Sequence, residues 1–300
     1  MMCCASCGIA EDDNKKLKTC TAWKSVRYCS VTCQKEHRPQ HKRACKKRAA
    51  ELHGELLFKQ PESNHVGDCP ICLLPQPIDS EKSIMMSCCS KVICEGCDYA
   101  NQMRQQEGKL EQTCPFCRHP LPDTDADHNR NRMKRIEAND PAAICMMGFI
   151  RFDEGDYQGA FDYWTKAAEL DNSADAHYQL YNLYDEGKGV EKDTNKAVYH
   201  LEHAAIGGHP LARYNLGIIE KDKGRLERAI KHWIIAAKLG DDESVEALKL
   251  CFREGRISKD VFAEALRAHQ AAVDATKSPQ RDEAEADEQN MEAEKAAGEN

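Results

Sequence analysis

Cysteine spacing constrains this chain more than any other feature. Fifteen of its 17 cysteines lie between Cys3 and Cys117, mostly in pairs, while Cys145 and Cys251 stand alone in sequence of helical pattern. Two thiols separated by two or three residues fit one turn or one helical face, so two such pairs can close a tetrahedron about a zinc ion. No apolar run approaches the roughly 20 residues needed to cross a bilayer. The start, MetMetCysCysAlaSerCysGly, lacks the charged and apolar regions of a secretory signal. A cytoplasmic or nuclear address follows as the expectation. Thiols stay reduced there, and clustered ones serve as metal ligands rather than disulfides. Cys145 and Cys251 read as ordinary buried cysteines.

At 300 residues, 41 % hydrophobic and 31 % charged, the chain has room for two or three small domains rather than one large core. Residues 1 to 50 carry 12 Lys and Arg against 4 Asp and Glu, although the whole chain stands at −8. A zinc ion with four thiolates has a net charge of about −2, so part of that basic excess compensates the metal sites. A pI near 5.9 argues against nucleic acid as the partner, because counterion release would supply little driving force.

The first cluster comprises Cys4, Cys7, Cys20, Cys29, Cys33, His41 and Cys45, ligands enough for two metals. TyrCysSerValThrCysGlnLysGluHis from Tyr28, followed by HisLysArgAlaCys from His41, resembles the MYND zinc finger over roughly residues 4 to 45. The resemblance implies interleaved pairs: Cys4, Cys7, Cys29 and Cys33 on one zinc, with Cys20, His41 and Cys45 on the other. Trp23 stands where the family has the fourth ligand of the second site. That site recruits His37, keeps a water, binds zinc weakly or is metal-free. Cys3 is a spare thiol. MYND fingers bind short proline-containing peptides of partner proteins, which implies recognition rather than catalysis. The finger is expected over residues 1–48. A helical linker follows over 49–66, with Leu52, Leu56 and Leu57 at helical spacing.

The second cluster pairs Cys69 with Cys72, Cys88 with Cys89, Cys94 with Cys97, and Cys114 with Cys117. A redox CxxC normally occurs once, so a series of this kind points to two zincs. CysProIleCys, CysCysSerLysValIleCysGluGlyCys and CysProPheCysArgHisProLeuPro together resemble an eight-cysteine RING-type finger over residues 69–122, and the domain is expected over 67–122. The commoner arrangement has histidine where this chain has Lys91. Interleaving implies Cys69, Cys72, Cys94 and Cys97 on one metal and Cys88, Cys89, Cys114 and Cys117 on the other, the adjacent cysteines being the awkward pair. RING fingers commonly hold a ubiquitin-conjugating enzyme. The matching contact positions are Ile71, Pro115 and Arg118, whose plain alternatives are packing, turn formation and surface charge.

A polar segment over 123–139 is expected as a linker or the start of a helix, and a repeat then takes over. The dipeptides Ala167Ala168, Ala204Ala205 and Ala236Ala237 recur 37 and 32 residues apart. Each follows an earlier helix, AlaIleCysMetMetGly at 143, AlaHisTyrGlnLeuTyr at 176 and AlaArgTyrAsnLeuGly at 212. Small Ala160, Ala197 and Ala229 would let paired helices approach, while Trp164, Leu201 and Trp233 fill the space between them. Period and loop sequence, GluGlyLysGlyValGluLysAsp at 186, resemble Sel-one-like repeats, relatives of the tetratricopeptide repeat. The repeats are expected over 140–274, three clear and one weak, stacking into an all-α solenoid with a protein-binding face. The tail, 275–300, holds 8 Asp and Glu against 3 Lys and Arg and no aromatic residue, and is expected to be disordered.

The architecture expected is thus multidomain: two small zinc-stabilised α+β fingers, an all-α solenoid of helix-turn-helix repeats and a disordered acidic tail. The function expected is a non-catalytic zinc-binding adaptor. Its partners are peptide motifs at the first finger and protein at the repeat surface. The alternative is a RING-type ubiquitin ligase, with a conjugating enzyme at Ile71, Pro115 and Arg118 and substrate held by the other modules.

Overall fold

A computed structural model describes residues 4–6, 16–19 and 26–298, apart from the side chains of Gln40, His41, Glu292 and residues 295–298. The chain forms two compact units, Met1–Lys59 and Gln60–Asn300. In the first, a two-residue antiparallel ladder joins β1 (Lys18–Thr19) to β2 (Arg27–Tyr28) and leads into the long helix α1 (Val31–Leu57). Ser30 caps α1 by accepting a hydrogen bond from the Cys33 amide at 3.1 Å, which fixes Cys33 on the first turn. Leu17 and Tyr28 are buried beside Cys4 and form the small core of this unit. The helix runs unbroken through the boundary expected at residue 48. Arg48, placed to reach Glu51 and Glu55 at 3.2 and 3.1 Å, adds helical pairs across it.

The second unit opens with the eight-cysteine finger. An antiparallel hairpin, β3 (Ser83–Met85) and β4 (Val92–Cys94), pairs Ser83 with Cys94 and Met85 with Val92 and feeds α2 (Glu95–Glu107). Fully buried Gln76 braces the hairpin, donating to the Val92 carbonyl at 3.0 Å and accepting from the Ser83 hydroxyl at 3.0 Å. On α2, Asn101 and Gln105 donate to the Thr113 carbonyl and so position the last cysteine pair.

Of the two alternatives for 123–139, a linker or the start of a helix, the segment takes the helical one, α3 (Asp125–Glu137), capped by Thr124. It folds because it has two partners. His128 Nδ1 lies 3.1 Å from the Ser87 hydroxyl, and Arg135 reaches both Ser90 and Asp140, the residue that caps the next helix.

The repeats follow as packed helix pairs: α4 (Pro141–Asp153) with α5 (Tyr157–Asp171), α6 (Ala174–Glu186) with α7 (Thr194–Ile206), and α8 (Pro210–Asp222) with α9 (Leu226–Ala237). A fourth pair, α10 (Asp242–Arg253) and α11 (Lys259–Ala275), continues the stack. Ala160, Ala197 and Ala229 are fully or almost fully buried, as are Trp164, Leu201 and Trp233 beside the alanine dipeptides. Each Asp, Ser or His at a helix start accepts from an amide of the first turn, which satisfies donors that stacking would otherwise bury unpaired.

The tail expected to be disordered is a helix, α12 (Pro279–Gly298). Composition misjudged it because a polar helix needs little apolar surface when a partner supplies the contacts, and α12 packs on α2.

Candidate metal centres

The finger of the second unit is built from three loops with one backbone design. In the first, Leu73 N donates to Cys69 O and Cys69 N to Leu74 O, both at 2.9 Å. In the last, Arg118 N donates to Cys114 O at 3.0 Å and Cys114 N to His119 O at 2.8 Å. The residue after each CxxC, Leu73 or Arg118, takes a left-handed φ of 60° or 62°. The middle loop repeats the pattern from Met86: Ser90 N donates to Met86 O at 2.8 Å, Met86 N to Lys91 O at 3.0 Å, and Ser90 has φ 57°. Met86 therefore occupies the place of the first cysteine of a knuckle, and Cys88, from the third place, supplies the missing sulfur. The adjacent pair that looked awkward in the sequence has the backbone of a knuckle with one sulfur displaced by two residues.

Two four-sulfur clusters result, Cys69, Cys72, Cys94 and Cys97 in one and Cys88, Cys89, Cys114 and Cys117 in the other, with all sulfurs of a cluster within 4.8 Å of one another. A tetrahedron of zinc–sulfur bonds of about 2.3 Å has edges near ~3.8 Å. Cys72 and Cys94 are 3.8 Å apart, Cys88 and Cys117 3.4 Å, and Cys89 and Cys114 4.0 Å, so both donor sets fit that ion. Burial pushes the Cys97 thiol up to about 12 and that of Cys89 up to about 11. A divalent cation held there would reverse this by stabilising the thiolates.

In the first unit, Cys4, Cys29 and Cys33 converge, with Cys29 and Cys33 3.5 Å apart. Cys7, the expected fourth ligand, lies outside the described residues, as do Cys3, Cys20, Trp23 and the side chain of His41. Cys45, half-buried on α1, packs against the Cys4, Leu17 and Tyr28 core. His37, one candidate to complete the second site, lies with Nδ1 3.1 Å from the Tyr28 hydroxyl.

A fourth cluster was not evident in the sequence. His65 Nε2 lies 2.9 Å and His209 Nε2 3.8 Å from Asp175 Oδ1. The two imidazoles stack at 4.2 Å with planes 18° apart. An ion bound by both would have to lie in both ring planes, which stacked rings do not allow, and His209 Nδ1 already accepts from the Ala212 amide. The trio is a junction. It ties the segment leading into the finger to the repeats. Burial and the adjacent His65 hold His209 neutral, down to about 3, although Asp175 acts in the opposite sense.

Of the three positions matched to conjugating-enzyme contacts, Ile71 is 40 % exposed, Pro115 is half-buried, and Arg118 is exposed on the left-handed turn. Phe116, between Pro115 and Cys117, is also exposed. Sequence reading missed Arg281, whose guanidinium lies 3.5 Å from Cys72 Sγ. A single arginine in an acidic tail, 209 residues away, carries no local signal.

These features define a zinc-finger protein with a helical-repeat body. Residues 4–45 match the MYND finger family, a zinc-binding domain, and residues 141–172, 174–209 and 210–241 each match the Sel1 repeat. Among characterised proteins the chain is similar to DAP3-binding cell death enhancer 1 of Mus musculus, 26 % identical over 176 residues, covering 45 % of this chain and 34 % of the mouse protein. The Rattus norvegicus counterpart is 24 % identical over 221 residues, covering 59 % and 42 % respectively. The matched part of the chain thus spans less than half the length of either relative. Among solved structures it is similar to a Sel1 repeat protein from Oxalobacter formigenes, with TM-score 0.44 and 21 % identity over 52 % of this chain and 49 % of that one. A second is c5321, a protective antigen of uropathogenic Escherichia coli with an SLR fold, with TM-score 0.34 and 22 % identity over 66 % and 40 %. Among the described residues no helix is long and apolar enough to cross a membrane.

Proposed function

We propose that this chain is a zinc-dependent adaptor that holds protein partners at its MYND finger and at its repeats. The observation that carries the reading is a groove in the repeats whose floor is apolar, formed by Tyr214, Ile218, Leu226, Ala247 and Leu250, and whose rim is mainly acidic, with Asp222, Asp242, Glu243, Glu246 and Glu254 against Lys221 and with Lys249 paired to Glu246 at 2.9 Å. Ile218 and Leu250 remain 37 % and 48 % exposed. Such a surface suits a peptide segment that presents apolar side chains between basic ones. Zinc would be held by Cys4, Cys7, Cys29 and Cys33, by Cys69, Cys72, Cys94 and Cys97, and by Cys88, Cys89, Cys114 and Cys117. Cys20, His41 and Cys45 would form a weaker site. Three or four ions per chain follow. Reduced thiols in this number fit a cytoplasmic or nuclear address.

The similar mouse and rat proteins are named for binding DAP3, which makes DAP3 the first partner to test. Binding is expected to the full chain and to weaken about tenfold or more when Ile218 and Leu250 are both changed to Asp. Equal binding by that variant would remove the groove from the reading.

A second reading is a RING-type ubiquitin ligase, and it rests on the exposure of Ile71, Phe116 and Arg118 beside the two cysteine clusters. A self-ubiquitination assay across a panel of conjugating enzymes separates the two. Activity that disappears in Arg118→Ala supports the ligase, and silence with every enzyme leaves the adaptor.

A further inference from the structure

We infer that Arg281 is a positioning residue of the Cys69, Cys72, Cys94 and Cys97 centre, and that α12 is a strap whose docking and the finger's retention of zinc depend on each other. The inference rests on the zinc reading of that cluster.

The guanidinium of Arg281 is wedged against the first knuckle. Its Nη1 donates to the Pro75 carbonyl at 2.7 Å and to the Thr276 carbonyl at 2.6 Å. Its Nη2 donates to Cys72 Sγ at 3.5 Å and to the Leu74 carbonyl at 3.4 Å. One side chain thus holds the loop that carries Cys72 by two of its carbonyls and places a cation against the sulfur. Four thiolates around zinc leave an anionic centre, and a charge-assisted N–H to a ligand sulfur disperses that charge. The remaining bond, to Thr276, anchors the arginine to the turn between α11 and α12, so its reach is set by the end of the repeats.

The backbone of α12 is fitted to the finger at the same point. A β-carbon on Gly96, between ligands Cys94 and Cys97, would lie 2.6 Å from the Arg281 amide nitrogen and 2.8 Å from its Cα, so only glycine admits the helix there. Ser278 fixes the first turn, its hydroxyl accepting from Arg281 N at 3.3 Å and its carbonyl from Asp282 N at 2.9 Å. Further along, Ala284 is buried, and Lys82, just before β3, faces Glu285 at 3.3 Å and Glu288 at 3.9 Å. Apart from Arg281 and Lys295, the charged residues of the helix are all acidic. Without Arg281 an anionic strap would lie against an anionic metal centre, and repulsion would favour its release. Conversely, collapse of the knuckle on loss of zinc removes the carbonyls and the sulfur that Arg281 grips.

The test uses the full chain as purified, Arg281→Ala, Arg281→Lys, and a chain ended at Ser278 as a second route to the same loss. Excess chelator is added with an alkylating reagent. Peptide mapping follows modification of Cys69, Cys72, Cys94 and Cys97, and hydrogen exchange follows residues 279–294. In the unaltered chain these four cysteines are expected to resist alkylation until zinc is withdrawn, and α12 to lose protection at that moment. In Arg281→Ala and in the shortened chain the four should become reactive roughly tenfold faster. Arg281→Lys, which keeps the charge but not the fork, should fall between. Equal rates in all four chains, or an α12 that exchanges identically with and without chelator, would overturn the inference while leaving the zinc site standing. Immediate alkylation of the unaltered chain without chelator would overturn the zinc reading, and this inference with it.

Discussion

The indole of Trp164 lies so close to Gly148 that a β-carbon there would fall 2.3 Å from Nε1, and its N–H is directed to the Cys145 carbonyl at 3.1 Å. Two repeats later the arrangement recurs. A β-carbon on Gly217 would fall 2.2 Å from Trp233 Nε1, whose N–H reaches the Tyr214 carbonyl at 3.3 Å. In the intervening repeat the aligned positions are Tyr181 and Leu201, a larger residue on the first helix and a smaller one on the second. Volume is exchanged across the helix pair, as close packing demands.

Gly148→Ala and Gly217→Ala are therefore expected to destabilise the repeats by about 1–3 kcal/mol each through overpacking, despite alanine's better helix propensity. Urea unfolding of the full chain checks this. Adding Trp164→Leu to Gly148→Ala should return part of the loss, which a double-mutant cycle measures. Additive effects would contradict the packing account.

The displaced knuckle gives a second expectation. Cys88→Ser should remove about one equivalent of zinc, because the Met86–Ser90 loop then offers one sulfur, Cys89, to its centre. Met86→Cys in that background restores the usual knuckle ligand and should recover the ion. Elemental analysis of the purified variants reads both results. Full zinc content in Cys88→Ser would show that Cys88 is no ligand.

Acid should begin to weaken the repeats near pH ~6.5, above the range in which carboxylates titrate. Burial, with His200 and His203 beside it, holds His177 down to about 4, and burial with His203 and Lys196 does the same for His200, also to about 4. Their Nδ1 atoms lie 2.9 Å apart and share one proton as donor and acceptor. In the unfolded chain each takes up a proton near pH ~6.5. Between roughly 6.5 and 4 the unfolded state thus binds more protons, so stability is complete above that window and is lost as pH falls through it. Thermal unfolding midpoints from pH 7.5 to 4.5 should show this decline, and it should be shallower in a His177→Gln, His200→Gln chain. Parallel profiles would assign the acid sensitivity to other groups.

Local regularity is what the sequence could express. Cysteine spacing marked the pairs of the second unit as metal-ligand pairs, because zinc coordination needs thiols at short intervals, whereas which pairs share a centre came from the resemblance to an interleaved finger. Alanine pairs and the aromatic or leucine residues before them marked the repeat helices, because a 3.6-residue period shows which face is buried. Relations between distant segments were decided in the tertiary structure. Cys88 became intelligible only when the backbone bonds of Met86 exposed a third knuckle. The segment 123–139 became α3 because Ser87 and Ser90 lie within reach of His128 and Arg135. Residues 279–298 became α12 because the repeats return the chain to the finger, where Gly96 leaves room for a helix and the Cys72 loop receives Arg281. Composition predicted disorder there, since the stabilising contacts are made with residues some 200 positions away, and no local pattern records a partner at that distance.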